Sequence, residues 1–171
     1  MTTHELGDTM ARLIWESFSD YIADGDAAAL LGSVGMEMGE GIPDERIAEE
    51  LLIFFMWAHT RGIQLAFVQR VAESTLKAAL DAMHGAVFED MVAHGTPKSQ
   101  LPVFEQRVSA RYAEYHEAAR ESDSQVGRVA LRHVTGMEDV TDALALWLAE
   151  RAVAVAGPLR DFLEEVDLQD S

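Results

Sequence analysis

Apolar residues recur at intervals of three and four along almost the whole chain, and this helical period is the strongest constraint on its fold. The first run of apolar residues with this spacing predicts a helix over residues 3–23. No stretch shows the sustained period-two alternation, bounded by tight-turn signals, that is typical of strands. The sequence therefore predicts an all-α fold. We expect a single domain, residues 1–171, built as a helical bundle of five to seven helices.

One segment is apolar on every side and predicts the central helix of that bundle. Residues 51–58 read LLIFFMWA, whereas a surface helix keeps polar residues on one face. Pro43 suits the first position of this helix, and the acidic residues after it complement the positive end of the helix dipole. The pattern leaves open whether residues 43–94 form one bent helix or two helices. A break is expected either near Gly62 or near residues 73–75.

Glycine and proline predict two interruptions elsewhere. Residues 32–41 contain four glycines, and this density predicts a flexible Gly-rich connector rather than a stable helix. Gly157 and Pro158 lie inside the apolar pattern of the last helix. Proline removes a backbone donor and crowds the preceding turn, so a kink or break is expected there.

Charge and composition exclude several partners. Thirty acidic residues against thirteen basic residues give a net charge of −17, and such a field repels phosphate backbones and anionic membrane surfaces. The longest apolar run is much shorter than the about 20 residues that a membrane-spanning helix needs. We therefore expect neither a nucleic-acid partner nor a membrane partner. Because the N-terminus lacks the basic and apolar regions of a secretory signal, we expect a cytoplasmic protein.

The common motifs of catalysis and cofactor binding are absent from the sequence. The chain has no cysteine, which excludes thiolate metal sites and cysteine nucleophiles. It contains no Walker loop, dinucleotide fingerprint, Gly-x-Ser-x-Gly elbow or His-Glu-x-x-His helix. The charged face of the helix predicted over residues 100–121, which includes Arg107 and Arg111, is interpreted as solvated surface. We expect no cofactor and favour a non-enzymatic role.

Polar residues within the central helix form the candidate ligand-binding site. Glu50, Trp57, Arg61 and Gln64 follow one another at seven, four and three residues and so share one stripe. The stripe predicts either a cavity in which Arg61 and Gln64 orient an acid or amide group, or the only solvent-facing edge of the helix. His59 lies on an apolar face, where burial would lower its pKa. It is either a fifth site residue or a satisfied core histidine.

Asp81 and His84 are the candidate metal ligands. Their spacing of three residues places a carboxylate and an imidazole on one helical face, as in bundles with a di-metal carboxylate site. His59, His116 and a glutamate of the central helix are possible further ligands. The alternative is a metal-free hydrogen bond between His84 and Asp81.

Three functions are compatible with these features. The first is a non-enzymatic module that binds a protein partner or forms a homodimer, through an apolar ridge such as Met83, Val87 and Met91 or through the helix that contains Trp147. The second is a small-ligand sensor whose cavity is lined by the polar stripe. The third is a metal-dependent enzyme at the candidate metal ligands.

Overall fold

The computed structural model describes residues 1–36 and 44–169, and most of these residues are helical. Within these residues there is no strand, and one isolated bridge joins Thr2 to Gln169. Seven α-helices follow one another in the order α1 (Thr3–Ala23), α2 (Asp26–Ser33), α3 (Glu45–Phe67), α4 (Glu73–Ala93), α5 (Leu101–Glu121), α6 (Asp123–Thr135) and α7 (Asp142–Glu164). The prediction of an all-α helical bundle is confirmed, as is the helix over residues 3–23.

Helix α3 is the central element. Every residue from 50 to 60 is buried, and α3 contacts α1, α4, α5, α6 and α7. Its first turn is capped by Asp44, whose carboxylate accepts a hydrogen bond from the backbone N–H of Ile47 at 2.9 Å. The helix therefore begins at Glu45. Pro43, the predicted first helical residue, lies outside the described residues.

Residues 44–93 form two helices. Helix α3 ends at Phe67 and α4 begins at Glu73, and the turn between them includes Gln69 with a positive φ of 67°. The break is thus just before residues 73–75. Gly62 does not interrupt α3, because it is a packing residue: a Cβ atom there would lie 2.5 Å from a methyl group of Leu159 on α7.

The two predicted interruptions need correction. Gly32 and Ser33 belong to α2, so the predicted connector 32–41 begins too early. The Ser33 hydroxyl donates to the carbonyl of Ala29 at 2.8 Å within this last turn. Residues 37–41 of the connector lie outside the described residues. Of the kink or break predicted at Pro158, the break does not occur, because α7 continues through this residue. Pro158 is exposed, so water can satisfy the carbonyl that lacks its usual N–H partner.

Helix α7 packs closely against α6 and α3 and closes one side of the bundle. A Cβ atom at Gly127 of α6 would lie 1.8 Å from the carbonyl oxygen of Ala145 on α7, so the two backbones approach each other at this point. On the other side of the bundle, α4 packs against α1 and buries Met83, Val87 and Met91. This ridge is core and is not available to a partner, which corrects one of the predicted interaction surfaces.

No helix among the described residues combines the length and the apolar character that crossing a membrane requires.

Candidate ligand-binding site

Two cavities lie on opposite sides of α7, and α3 forms part of the wall of both. The smaller, of about 190 Å³, is bounded by α3, α6 and α7. The larger, of about 390 Å³, is a groove bounded by α1, α3 and α7. We call the first the Trp57 cavity and the second the His59 groove. The groove is lined by Thr9, Arg12, Leu13, Ser17, His59, Ala154, Val155, Pro158, Leu159 and Phe162.

The Trp57 cavity has a cationic side chain at its wall, and that charge is already engaged. The guanidinium carbon of Arg61 lies 5.4 Å from the centroid of the Trp57 ring, a cation–π arrangement. Its Nη1 lies 3.4 Å from Oδ1 of Asp123 at the start of α6. Alanines of α3 and α7 make much of the remaining wall. The Trp57 indole N–H is buried with no partner among the described residues.

The His59 groove has one deeply buried polar side chain at its wall. His59 is 2% exposed, and its Nδ1 lies 2.7 Å from the carbonyl oxygen of Phe55, one turn earlier in α3. Because a carbonyl oxygen only accepts hydrogen bonds, Nδ1 is the protonated nitrogen. Burial lowers the pKa of His59 to about 4, and the bond to Phe55 only partly opposes this. The ring is therefore neutral at pH 7.

This tautomer leaves Nε2 of His59 as a hydrogen-bond acceptor. Among the described residues, the bond to Phe55 is the only hydrogen bond of the His59 side chain. Nε2 is on the edge of the ring away from Nδ1, so it is turned away from the carbonyl that holds the ring. An acceptor without a protein partner thus occurs on a side chain that lines an apolar groove.

Glu50 binds to α5 and lines neither cavity. Its two carboxylate oxygens accept hydrogen bonds from Nε and Nη2 of Arg111 at 2.9 and 2.8 Å. The Glu50 side chain is 4% exposed and that of Arg111 is 19% exposed. The interpretation of the α5 face as fully solvated is therefore wrong for Arg111. Arg107 likewise pairs with Glu49 across the same helix interface.

The five predicted site residues do not surround one cavity. Trp57 and Arg61 line the Trp57 cavity, His59 lines the groove, and Gln64 is half-buried outside both. The alternative interpretation, a solvent-facing edge, is also wrong for Glu50 and Trp57, because both are buried. The stripe meets α5 at Glu50 and α6 at Arg61, so different neighbours occupy it along its length.

Asp81 and His84 are not joined by a third possible metal ligand. No group of three His, Asp or Glu side chains suited to a metal ion occurs within residues 1–36 and 44–169. Asp81 is exposed and pairs with Lys77. Both ring nitrogens of His84 have partners, Nδ1 at 2.7 Å from the Leu80 carbonyl and Nε2 at 2.8 Å from the Tyr112 hydroxyl. The proposed bond from His84 to Asp81 is not formed either.

The groove also contains residues of α1 and α7 that the sequence pattern did not predict. Arg12, Thr9 and Ser17 lie on the polar side of the α1 stripe, and Phe162 lies beyond the proline of α7. Periodicity indicated which face of each helix is apolar but not which helices are neighbours.

Comparisons of this chain with family models, with curated proteins and with solved structures found no match.

Proposed function

We propose that this protein binds a small, largely apolar ligand in the His59 groove. The observation that supports the proposal is the unpartnered Nε2 of His59, a 2% exposed side chain in the wall of an apolar groove. This nitrogen is not one of the fully enclosed polar atoms without a partner among the described residues, so it keeps accessible surface at the wall of the groove. An acceptor that no protein group uses, within reach of open space, fits a site that receives its partner from a ligand.

The dimensions of the groove agree with this role. Its volume of about 390 Å³ falls within the range of roughly 300–1,000 Å³ that is typical of small-molecule sites. Helix α7 supplies an apolar wall of Val155, Leu159 and Phe162, whereas α1 supplies the polar rim. An apolar wall with one converging polar atom is the usual composition of such sites.

The Trp57 cavity supports the proposal less well. It is about half the volume of the groove, and Asp123 already neutralises Arg61. The Trp57 N–H has almost no accessible surface, so it offers nothing to a molecule in the cavity. A ligand would have to displace an existing ion pair there, whereas the groove offers an acceptor that no protein group uses.

Filling the groove tests the proposal. Ala154 is exposed on α7 and lines the groove, so Ala154→Trp should occupy the space. Ala143 is exposed on the same helix and lines neither cavity, so Ala143→Trp is the matched control. With 1-naphthol as the probe, two-dimensional amide NMR should show shifts in α1, α3 and α7 for the wild type and for Ala143→Trp. Absence of binding to the wild type, or undiminished binding to Ala154→Trp, would refute the proposal.

A second candidate function, formation of a homodimer, is favoured by exposed apolar side chains on one side of the bundle. Leu65 near the end of α3 and Leu146 and Val153 on α7 are 65%, 49% and 55% exposed. A contact between two copies would bury these side chains, and this gain would have to offset the repulsion between two chains of net charge −17. Light scattering after size exclusion should then give a dimer that Val153→Lys dissociates. Val103→Lys, at a 60% exposed position on α5, is the control, and a wild-type monomer at high micromolar concentration would exclude this function.

A further inference from the structure

We infer that the His59 groove selects an apolar molecule that bears one neutral hydrogen-bond donor, a hydroxyl or an N–H, over analogues that lack the donor. This inference rests on the proposed function, because it specifies the chemistry of the ligand at that site. It follows from the fixed orientation of one imidazole ring and from the residues that share its groove.

The ring of His59 is fixed by its own helix. Nδ1 donates to the Phe55 carbonyl at 2.7 Å, and the two residues are one turn apart on the rigid, buried α3. Flipping the ring would break this bond inside the core. The wall of the groove therefore presents Nε2 as an acceptor and not as a donor. A hydroxyl or N–H on the ligand completes the pairing, whereas an ether or carbonyl oxygen would place lone pair against lone pair.

Carboxylates are disfavoured at the same atom. A carboxylate needs a donor, which His59 supplies only as the imidazolium, and burial lowers the pKa of His59 to about 4. Among the residues that the structure describes, Arg12 is the only charged residue that lines the groove, and it is exposed on α1. Ion pairs at exposed positions contribute little to binding. The net charge of −17 further opposes anions.

Other polar groups of the groove do not discriminate in this way. The hydroxyls of Thr9 and Ser17 on α1 line its half-buried rim. A hydroxyl rotates to donate or to accept as the ligand requires. Nε2 of His59, in contrast, can only accept a hydrogen bond. Discrimination between a ligand with a hydroxyl or N–H and an analogue that lacks this group therefore depends on Nε2.

Three probes of similar shape test the inference: 1-naphthol, 1-methoxynaphthalene and 1-naphthoate. Their dissociation constants are measured by calorimetry or NMR titration at pH 7. The naphthol should bind about tenfold more tightly than the ether, since one hydrogen bond distinguishes them. Its advantage over the naphthoate should be at least as large.

Two variants then assign the preference to His59. His59→Phe removes the acceptor and keeps an apolar ring, so it should weaken naphthol binding and leave ether binding unchanged. His59→Gln offers both a donor and an acceptor, so it should tighten ether binding instead. In both variants the ratio of the two dissociation constants should fall to within about threefold. The wild-type comparison needs no variant and remains decisive even if His59→Phe does not fold.

The outcomes separate this inference from the proposed function. If none of the probes binds to the wild type, both are refuted. If the ether or the naphthoate binds as tightly as the naphthol, the groove is a ligand site but the donor preference is refuted. If His59→Phe still binds the naphthol more tightly than the ether, the assignment of the preference to His59 is refuted, because another group must then distinguish the probes.

Discussion

Acidification should destabilise the fold through His59. Burial lowers the pKa of this side chain from 6.5 to about 4 in the folded protein. Between these values the unfolded chain binds a proton at this residue and the folded chain does not, so unfolding becomes more favourable as the pH falls. The contribution of His59 is therefore fully present above pH 6.5 and is lost progressively down to pH 4.

The size of the effect follows from the two pKa values. Comparing proton binding by the folded and unfolded states gives a loss of about 2 kcal/mol in the free energy of unfolding between pH 7 and pH 5. The side chain is 2% exposed, so solvent screening requires no large reduction of this figure. For a urea dependence of about 2 kcal/mol per molar, the midpoint of unfolding should fall by about 1 M.

Urea unfolding of the wild type and of His59→Gln at pH 7 and pH 5 measures this contribution. Burial also lowers the pKa values of His84 and His116, but both residues are present in both proteins and their contributions cancel in the comparison. The variant should lose about 2 kcal/mol less than the wild type over this interval. Equal losses in the two proteins would show that His59 is not buried as a neutral ring, and the groove would lose its acceptor.

The remaining predictions concern the packing around the site. Gly127→Ala should lower the free energy of unfolding by at least about 2 kcal/mol, because the new methyl group would meet the Ala145 carbonyl, which cannot rotate away. Gly85→Ala, a helical position with open space around it, should instead stabilise by about 0.5–1 kcal/mol. Arg111→Met should cost about 3–5 kcal/mol because it leaves the Glu50 carboxylate buried and unpaired. The double variant Arg111→Met with Glu50→Gln should recover much of that loss, because the buried carboxylate is then replaced by a neutral amide. Denaturant unfolding of the three single variants and this double variant measures these free energies.

The architecture could be predicted from the sequence because it depends on local patterns. The apolar stripe of residues 3–23 and the uninterrupted run at 51–58 depend only on neighbouring positions, and helical period turns them into α1 and a central α3. Gly62 was ambiguous because a glycine inside a helix either interrupts it or permits close packing. Only the position of Leu159, almost a hundred residues later, resolves that choice.

The site was less predictable because it depends on pairs that are distant in sequence. Arg111 binds Glu50 across 61 positions, and no local pattern on α5 distinguishes it from a solvated arginine. One feature of the site, the separation of Trp57 from His59, could nevertheless be predicted from the sequence. Trp57 and His59 are two positions apart, and in a helix this spacing points side chains towards nearly opposite sides. Their separation into two cavities follows from that geometry.

The central position of α3 explains why His59 differs from the other polar residues of this helix. Glu50 is paired with Arg111, Thr60 lies 3.3 Å from the Tyr112 hydroxyl, and Arg61 meets Asp123. Each of these pairs joins α3 to a neighbouring helix, whereas His59 bonds only to its own backbone. A leucine at this position would fill the core without the cost of desolvating an imidazole. Stability therefore gives no reason for a histidine here, and this agrees with the proposal that a ligand donates to Nε2.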